Sequence, residues 1–292
     1  MSNLTLEAAT EEKAIRSTLG AVLEIDLVDF CGSGFVGDEY AVEIVNGSGP
    51  SPPVGTTSIY RSRFCDCVGL NGSSDSGSSS TVTGCVFESA GLLPGDSATI
   101  QNNIFYGDSV YFRLSTSSEI VMRNNTLADI SSFLFGTIVN DHAGVLWPSF
   151  EIQSNIFGSV EAAAPDATTD VAALWYVYLG DESIDDDGAP DVWTNNIVWD
   201  VTGAYAEVCV WDDSIWDEVC DGADASSIMA AGSITLDPLF SPNSAQGIYA
   251  LDPTSPAIDG GVGGADMDGS TNDIGAFGGP EGDWYMEVPW LP

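Results

Sequence analysis

The sequence predicts an all-β chain, wound as a single-stranded right-handed parallel β-helix with long acidic loops. Three observations predict it. First, a short segment recurs, as in "TIQNNIF" (99–105), "EIQSNIF" (151–157) and "VWTNNIV" (192–198). Second, apolar and polar residues alternate up to each asparagine, the period of two that a strand requires. Third, the copies are unevenly spaced. A stack of short strands tolerates this because loops lengthen while strands stay about 4.8 Å apart, whereas an array of helical hairpins keeps its period.

Aligned, the copies run Tyr60–Cys65, Val82–Phe87, Ile100–Phe105, Met122–Leu127, Ile152–Phe157 and Trp193–Val198. The first position is apolar or aromatic and is expected inside. The second, Arg61, Thr83, Gln101, Arg123, Gln153 and Thr194, is polar and expected to face solvent. The fourth is Asn103, Asn125, Asn155 or Asn196 in most copies. Asparagine tolerates left-handed backbone and bonds neighbouring main chain, so a bend is expected there. Two mostly apolar residues follow, breaking the alternation. Upstream, "AVLEIDLVDF" (21–30) reads as an earlier coil with Leu23, Ile25 and Leu27 inward, and residues 4–16 read as a strand of a further coil or as a cap helix. Stretches 158–191 and 200–232 carry much of the acid and tryptophan and read as excursions from the coil. Residues 1–235 thus form the coils, and 236–292 a closing segment of the same domain.

Composition narrows the partners. Six Lys and Arg against 44 Asp and Glu give a formal charge of −38, which repels phosphate backbones and anionic membranes over a Debye length of about 8–10 Å. Nucleic acid is excluded as a partner, and no stretch has the length and apolarity of a membrane span. The even set of cysteines lacks zinc-ribbon spacing and reads as disulfides, hence an oxidising compartment. Counting register from Leu23 against Tyr60 brings Cys31 near Cys67 and Cys65 near Cys85, while Cys209 and Cys220 close their own loop. Residues 1–20 contain no signal-peptide core, so an extracellular or cell-surface location implies a leader absent from this sequence.

From Leu236 the text changes to "LDPLF", "YALDPTSPAIDGG" and "DMDGSTNDIGAFGG". This order resembles the ending of secreted bacterial right-handed parallel β-helix proteins of the pectate-lyase-like superfamily that carry a choice-of-anchor-type C-terminal signature. The resemblance implies the β-helical fold and secretion. It implies no single activity, because that superfamily includes lyases, polygalacturonases, adhesins and inert fibres.

Several residues could carry chemistry. Asp266, Asp268 and Asp273 surround a glycine at a spacing suited to a compact Ca2+ loop, and equally to a turn in which the carboxylates bond backbone amides. Asp185 and Asp187, in "DESIDDDGAPD" (181–191), suit a second cation site or a solvated loop. Trp211, Trp216 and Asp217 suit sugar stacking with a hydroxyl acceptor, or a packed loop. A lyase would use Arg61 or Arg123 as its base. A polygalacturonase-like hydrolase would use facing acids among Asp200, Asp212 and Asp213. The expected function is non-catalytic binding of a polysaccharide or surface protein through acidic loops, with Ca2+ as the one cofactor considered. A carbohydrate-active enzyme and an end-to-end structural unit are the alternatives.

Overall fold

Alternation within the repeat sends Ile100 to full burial and leaves Gln101 half-buried on the outside, and the same holds for Met122 with Arg123 and Ile152 with Gln153. The structure is a computed structural model and describes residues 13–18, 22–31, 40–45, 55–71, 79–95, 97–114, 119–139, 149–162, 173–179, 190–212, 217–220, 223–242 and 248–287. These are mostly strands, arranged in parallel sheets. A seven-stranded sheet holds Val22–Asp26, Thr56–Tyr60, Ser79–Thr83, Ser97–Gln101, Glu119–Arg123, Ser149–Gln153 and Val192–Thr194 in chain order, all parallel. Between those strands the chain visits a second, fifteen-stranded sheet, twice on most passes. One pass through it contributes Ile104–Gly107 and then Val110–Leu114, and the next contributes both parts as the long strand Thr126–Val139.

Two corners turn the chain on each pass, and both lie in left-handed backbone. The first holds Leu27, Arg61, Gly84, Asn102, Asn124, Ser154 and Asn195; the second holds Asp66, Ser89, Gly107, Asp129, Ser159 and Asp200, all with φ between 44° and 108°. The bend therefore precedes the expected asparagine by one residue. Glycine, asparagine and aspartate tolerate this region best, which accounts for most of the residues found there.

The fourth-position asparagines turn inward instead and form a ladder. Asn103 Nδ2 donates to Asn125 Oδ1 at 3.0 Å, Asn125 Nδ2 to Asn155 Oδ1 at 2.9 Å, and Asn155 Nδ2 to Asn196 Oδ1 at 3.0 Å. Each amide also donates to a carbonyl one pass back: Val82, Ile100, Met122 and Ile152. Each Oδ1 accepts a backbone N–H, from Cys85, Asn103, Asn125 and Asn155 respectively. All four side chains are fully buried. An amide suits this column because it supplies donors and an acceptor together.

Beside the ladder the next apolar pair splits between two cores. Phe64, Phe87 and Phe105 point inward, and with Phe30 they stack ring on ring at centroid distances of 4.8, 4.9 and 4.7 Å, the spacing of the strands that carry them. Val86, Ile104, Ile156 and Ile197 point outward, yet each is at most 2% exposed. They lie under residues 236–287, with Tyr249, Ala257, Ile274, Ala276 and Trp284 in the same clusters. The break in alternation thus marks strands buried on both faces.

Three expectations are corrected by this register. Ile59, not Tyr60, pairs with Val82, so Tyr60 faces outward and Arg61 sits on the corner rather than in the outer column. Leu27 is also a corner residue, 43% exposed rather than inward. The pass from Val22 pairs Leu23 with Thr57, and the bridge from Asp29 to Arg63 continues that register. Cys31 therefore meets Cys65, forming a disulfide, while Cys67 and Cys85 are free and buried. The Cys31–Cys67 and Cys65–Cys85 pairings do not form; Cys85 instead occupies the ladder position, where desolvation pushes its thiol up to about 12. Cys209 and Cys220 are bonded as expected, across an antiparallel pair. Two of the supposed excursions also contain strands, Ala173–Leu179 and Ala204–Asp212, followed by the helix Ala223–Ala231. Lys13–Thr18 is a strand paired with Tyr40–Val45; residues 4–12 lie outside the described residues. Among the described residues no helix is long and apolar enough to cross a membrane.

Candidate functional site

The first-corner side chains point away from the core and hold the closing segment in place. Asn195 Nδ2 donates to Gly260 O, and Asn124 Nδ2 to Asn272 Oδ1 and Asp273 O. Asn102 Nδ2 donates to the carbonyls of Ala276 and Gly278, and Ser154 Oγ accepts the Val262 N–H at 2.8 Å. The segment therefore runs back along the corner, opposite to the order of the passes. Gly275 (φ 100°) makes the closest approach, since a Cβ there would come within 2.6 Å of Ile156 and 2.8 Å of Thr126.

Folding of this segment brings Asp259, Asp266, Asp268, Asp273 and Asp283 around one cavity of about 630 Å³, whose apolar lining includes Leu251, Ile258, Met267, Phe277 and Tyr285. The carboxylates already serve the turn. Asp266 accepts the N–H groups of Asp273 and Gly279; Asp268 accepts the Ser270 N–H at 2.9 Å; Asp273 accepts the Asp259 N–H at 2.8 Å. Among the described residues the only acidic, cysteine or histidine ligand atoms converging within 4.8 Å are those of Cys31, Cys65 and Glu88, and both sulfurs are in the disulfide. Asp266, Asp268 and Asp273 thus share a cavity of the right donor chemistry without forming a closed cage. A carboxylate retains further lone pairs after accepting one bond, so a hard cation fits if the turn tightens around it.

Burial, followed by the nearby charges of Asp266, Asp259 and Asp268, raises the Asp273 carboxyl above its ordinary value of 3.8. The folded state then holds this proton more tightly than the unfolded chain does. Asp273 accordingly opposes folding more as pH rises above about 4. Asp273→Asn keeps an oxygen for the Asp259 N–H. It is expected to raise the melting temperature at pH 7, with the gain over wild type shrinking towards pH 4. Thermal melts of both proteins across that range check this; a lower melting temperature at pH 7 would show that the carboxylate stabilises the turn.

The remaining sequence candidates are dispersed. Arg61 donates from Nε to Asp26 at 2.9 Å and is ion-paired with it through Nη2, which raises its pKa further. Arg123 is ion-paired with Glu151 on the outer face of the seven-stranded sheet. These two arginines therefore occupy different columns, and each is matched by an acid. Asp200 lies on the second corner and accepts from Ser159 Oγ at 3.2 Å. Trp211, Asp212 and Asp217 belong to the antiparallel pair closed by Cys209 and Cys220, with Asp212 opposite Asp217. Asp185, Asp187, Asp213 and Trp216 lie outside the described residues.

A second, smaller cavity of about 290 Å³ is lined by Tyr60, Arg61, Thr83, Glu281, Asp283 and Trp284. Of these, Glu281, Asp283 and Trp284 drew no attention in the sequence. One available signal was Gly84, in "STVTGCVF", where most other copies carry Asn or Ser: the missing side chain marks where Trp284 presses on the corner. Comparison with models of known protein families, with curated proteins and with solved structures finds no match to this chain.

Proposed function

We propose that this chain is a secreted or surface-displayed right-handed parallel β-helix protein that binds polysaccharide, without catalysis, through the acidic cavity of its closing segment, with Ca2+ completing the site. The right-handed winding is supported by the parallel pairing of successive passes, because parallel crossovers are right-handed in nearly all known cases. Secretion is supported by the disulfides, which persist in oxidising compartments. The binding reading rests on one observation: five aspartates and an apolar wall gathered around a single 630 Å³ cavity, a size and make-up suited to a small-ligand site. A cation there would offset the burial and the mutual repulsion that raise Asp273 and would offer open coordination positions to sugar hydroxyls. Non-catalysis is supported by the pairing of Arg61 and Arg123 with acids, which lowers their value as bases.

Calorimetric titration of the full chain with CaCl2, followed by a panel of plant and microbial polysaccharides with and without chelator, tests this reading. Ca2+ binding and Ca2+-dependent retention of a polysaccharide, with no new ultraviolet absorbance from unsaturated product and no new reducing ends, are expected. Turnover of any polysaccharide would replace this reading with an enzymatic one. Absence of Ca2+ binding would remove the metal from it, and a left-handed winding in a crystal structure would overturn the fold.

A further inference from the structure

The cover over the first corner stops short. Asn195, Ser154, Asn124 and Asn102 are each bonded to the closing segment. At Gly84, Trp284 lies so close that an added Cβ would sit 2.9 Å from its side chain. Arg61, the next corner in line, is drawn towards Asp26 on the preceding pass. The step where the cover ends is the 290 Å³ cavity, bounded by Tyr60, Arg61 and Thr83 of the coil and by Glu281, Asp283 and Trp284 of the closing segment.

Thr83 supplies an independent observation. It is 7% exposed, and its hydroxyl has no hydrogen-bond partner. Its register neighbours are Tyr60 and Gln101. Polar groups this deeply buried are almost always paired, and leaving one unpaired is unfavourable. The Thr83 Oγ1 is itself closed to solvent, so an entering group becomes its partner once the side chains around it shift.

We infer that this cavity is a subsite for one ring of a neutral saccharide. Ring hydroxyls pair with the Thr83 hydroxyl and the Glu281 and Asp283 carboxylates, while the ring's apolar face lies on the half-buried Tyr60. The charges select against an anion: Glu281 and Asp283 repel one, as does the formal charge of −38, and the Arg61 guanidinium beside them is already matched by Asp26. The hydroxyl of Thr83 both donates and accepts, which matches a sugar hydroxyl. The volume lies at the small end for ligand cavities, about 300–1,000 Å³, and suits a single ring better than a chain. This inference rests on the carbohydrate-binding reading above and adds a subsite that needs no metal.

Working in chelator isolates it, because binding at the aspartate cavity is then abolished. Saturation-transfer NMR and calorimetry of the full chain with glucose, galactose, mannose and N-acetylglucosamine in EDTA should show saturable binding of at least one. Thr83→Val should weaken that binding at least fivefold while leaving the unliganded melting temperature unchanged or higher, since it removes an unpaired hydroxyl. Thr83→Ser should retain binding. Tyr60→Ala, a change on the half-buried outer surface, gives a second readout should Thr83→Val melt lower, and it too should weaken binding. No saturable signal in EDTA, or undiminished binding by both Thr83→Val and Tyr60→Ala, overturns the subsite. Displacement of the sugar by methylammonium at equal concentration overturns its neutral assignment. Loss of the EDTA-resistant signal alone leaves the Ca2+-dependent reading standing, and loss of the Ca2+-dependent signal alone leaves the subsite standing.

Discussion

Asn125→Ala should lower stability by about 3–5 kcal/mol, a fall in melting temperature on the order of 10 °C for a chain of this size. The magnitude follows from the groups left behind. Asn125 is fully buried, donates to Ile100 O and Asn155 Oδ1, and accepts from both the backbone N–H and the Nδ2 of Asn103. Each buried group left unpaired costs about 1–3 kcal/mol, and partial relaxation keeps the total below the simple sum. Asn125→Asp should be worse despite its shape, because it sets an acceptor against Ile100 O and Asn155 Oδ1 and buries a charge. Cys85→Asn gives the opposite sign. The thiol already points at Thr83 O, 3.5 Å away, and Ile59 O, 3.7 Å away. An amide there would extend the ladder by one pass and add about 1 kcal/mol. Urea or thermal unfolding of the three variants checks the set; an Asn125→Ala loss under 1 kcal/mol would mean that the ladder adds no stability.

Deleting residues from Leu236 onward should abolish cooperative unfolding of the remainder. Val86, Ile104, Ile156 and Ile197, each at most 2% exposed under the closing segment, would then face water. At about 1.5–3 kcal/mol per side chain their exposure costs on the order of 6–12 kcal/mol, comparable to the whole stability of a typical domain, about 5–15 kcal/mol. The asparagine-rich first corner would lose its bonds to Gly260, Asp273 and Gly278 as well. A milder probe is Gly275→Ala, which places a Cβ against Ile156 and Thr126 at a φ of 100° and should cost about 1–3 kcal/mol. Circular dichroism melts of the truncated and substituted chains decide the point. A sharp transition near the wild-type temperature in the truncated chain would show that the segment is an appendage to an independently stable coil.

These two effects mark what was legible and what was not. The recurring alternation was enough to place Val82, Ile100, Met122 and Ile152 inside, because a strand's side chains alternate whatever lies around it. The asparagine column was visible too, but its role was not. Asn102 and Asn103 are adjacent and chemically identical, yet one reaches out to Gly278 and the other inward to Asn125. Only the position of the left-handed residue decides between them, and both positions accept asparagine. A similar ambiguity moved the Tyr60 copy by one residue. Its segment has Arg63 where most others have asparagine, and either Ile59 or Tyr60 can open a strand. That slip, together with the misplaced register at Leu23, carried the cysteine pairing with it.

By itself the sequence determined the strand class, the inward column and the repulsion of anionic partners, since alternation and net charge are properties that residues hold locally or in sum. Tertiary structure alone decided that the outward isoleucines are buried, that five aspartates share a cavity, and that Thr83 and Trp284 line another. The physical reason is reach. Asn124 bonds Asn272 across 148 residues, and a contact between distant segments of different design leaves no period in either one to be read.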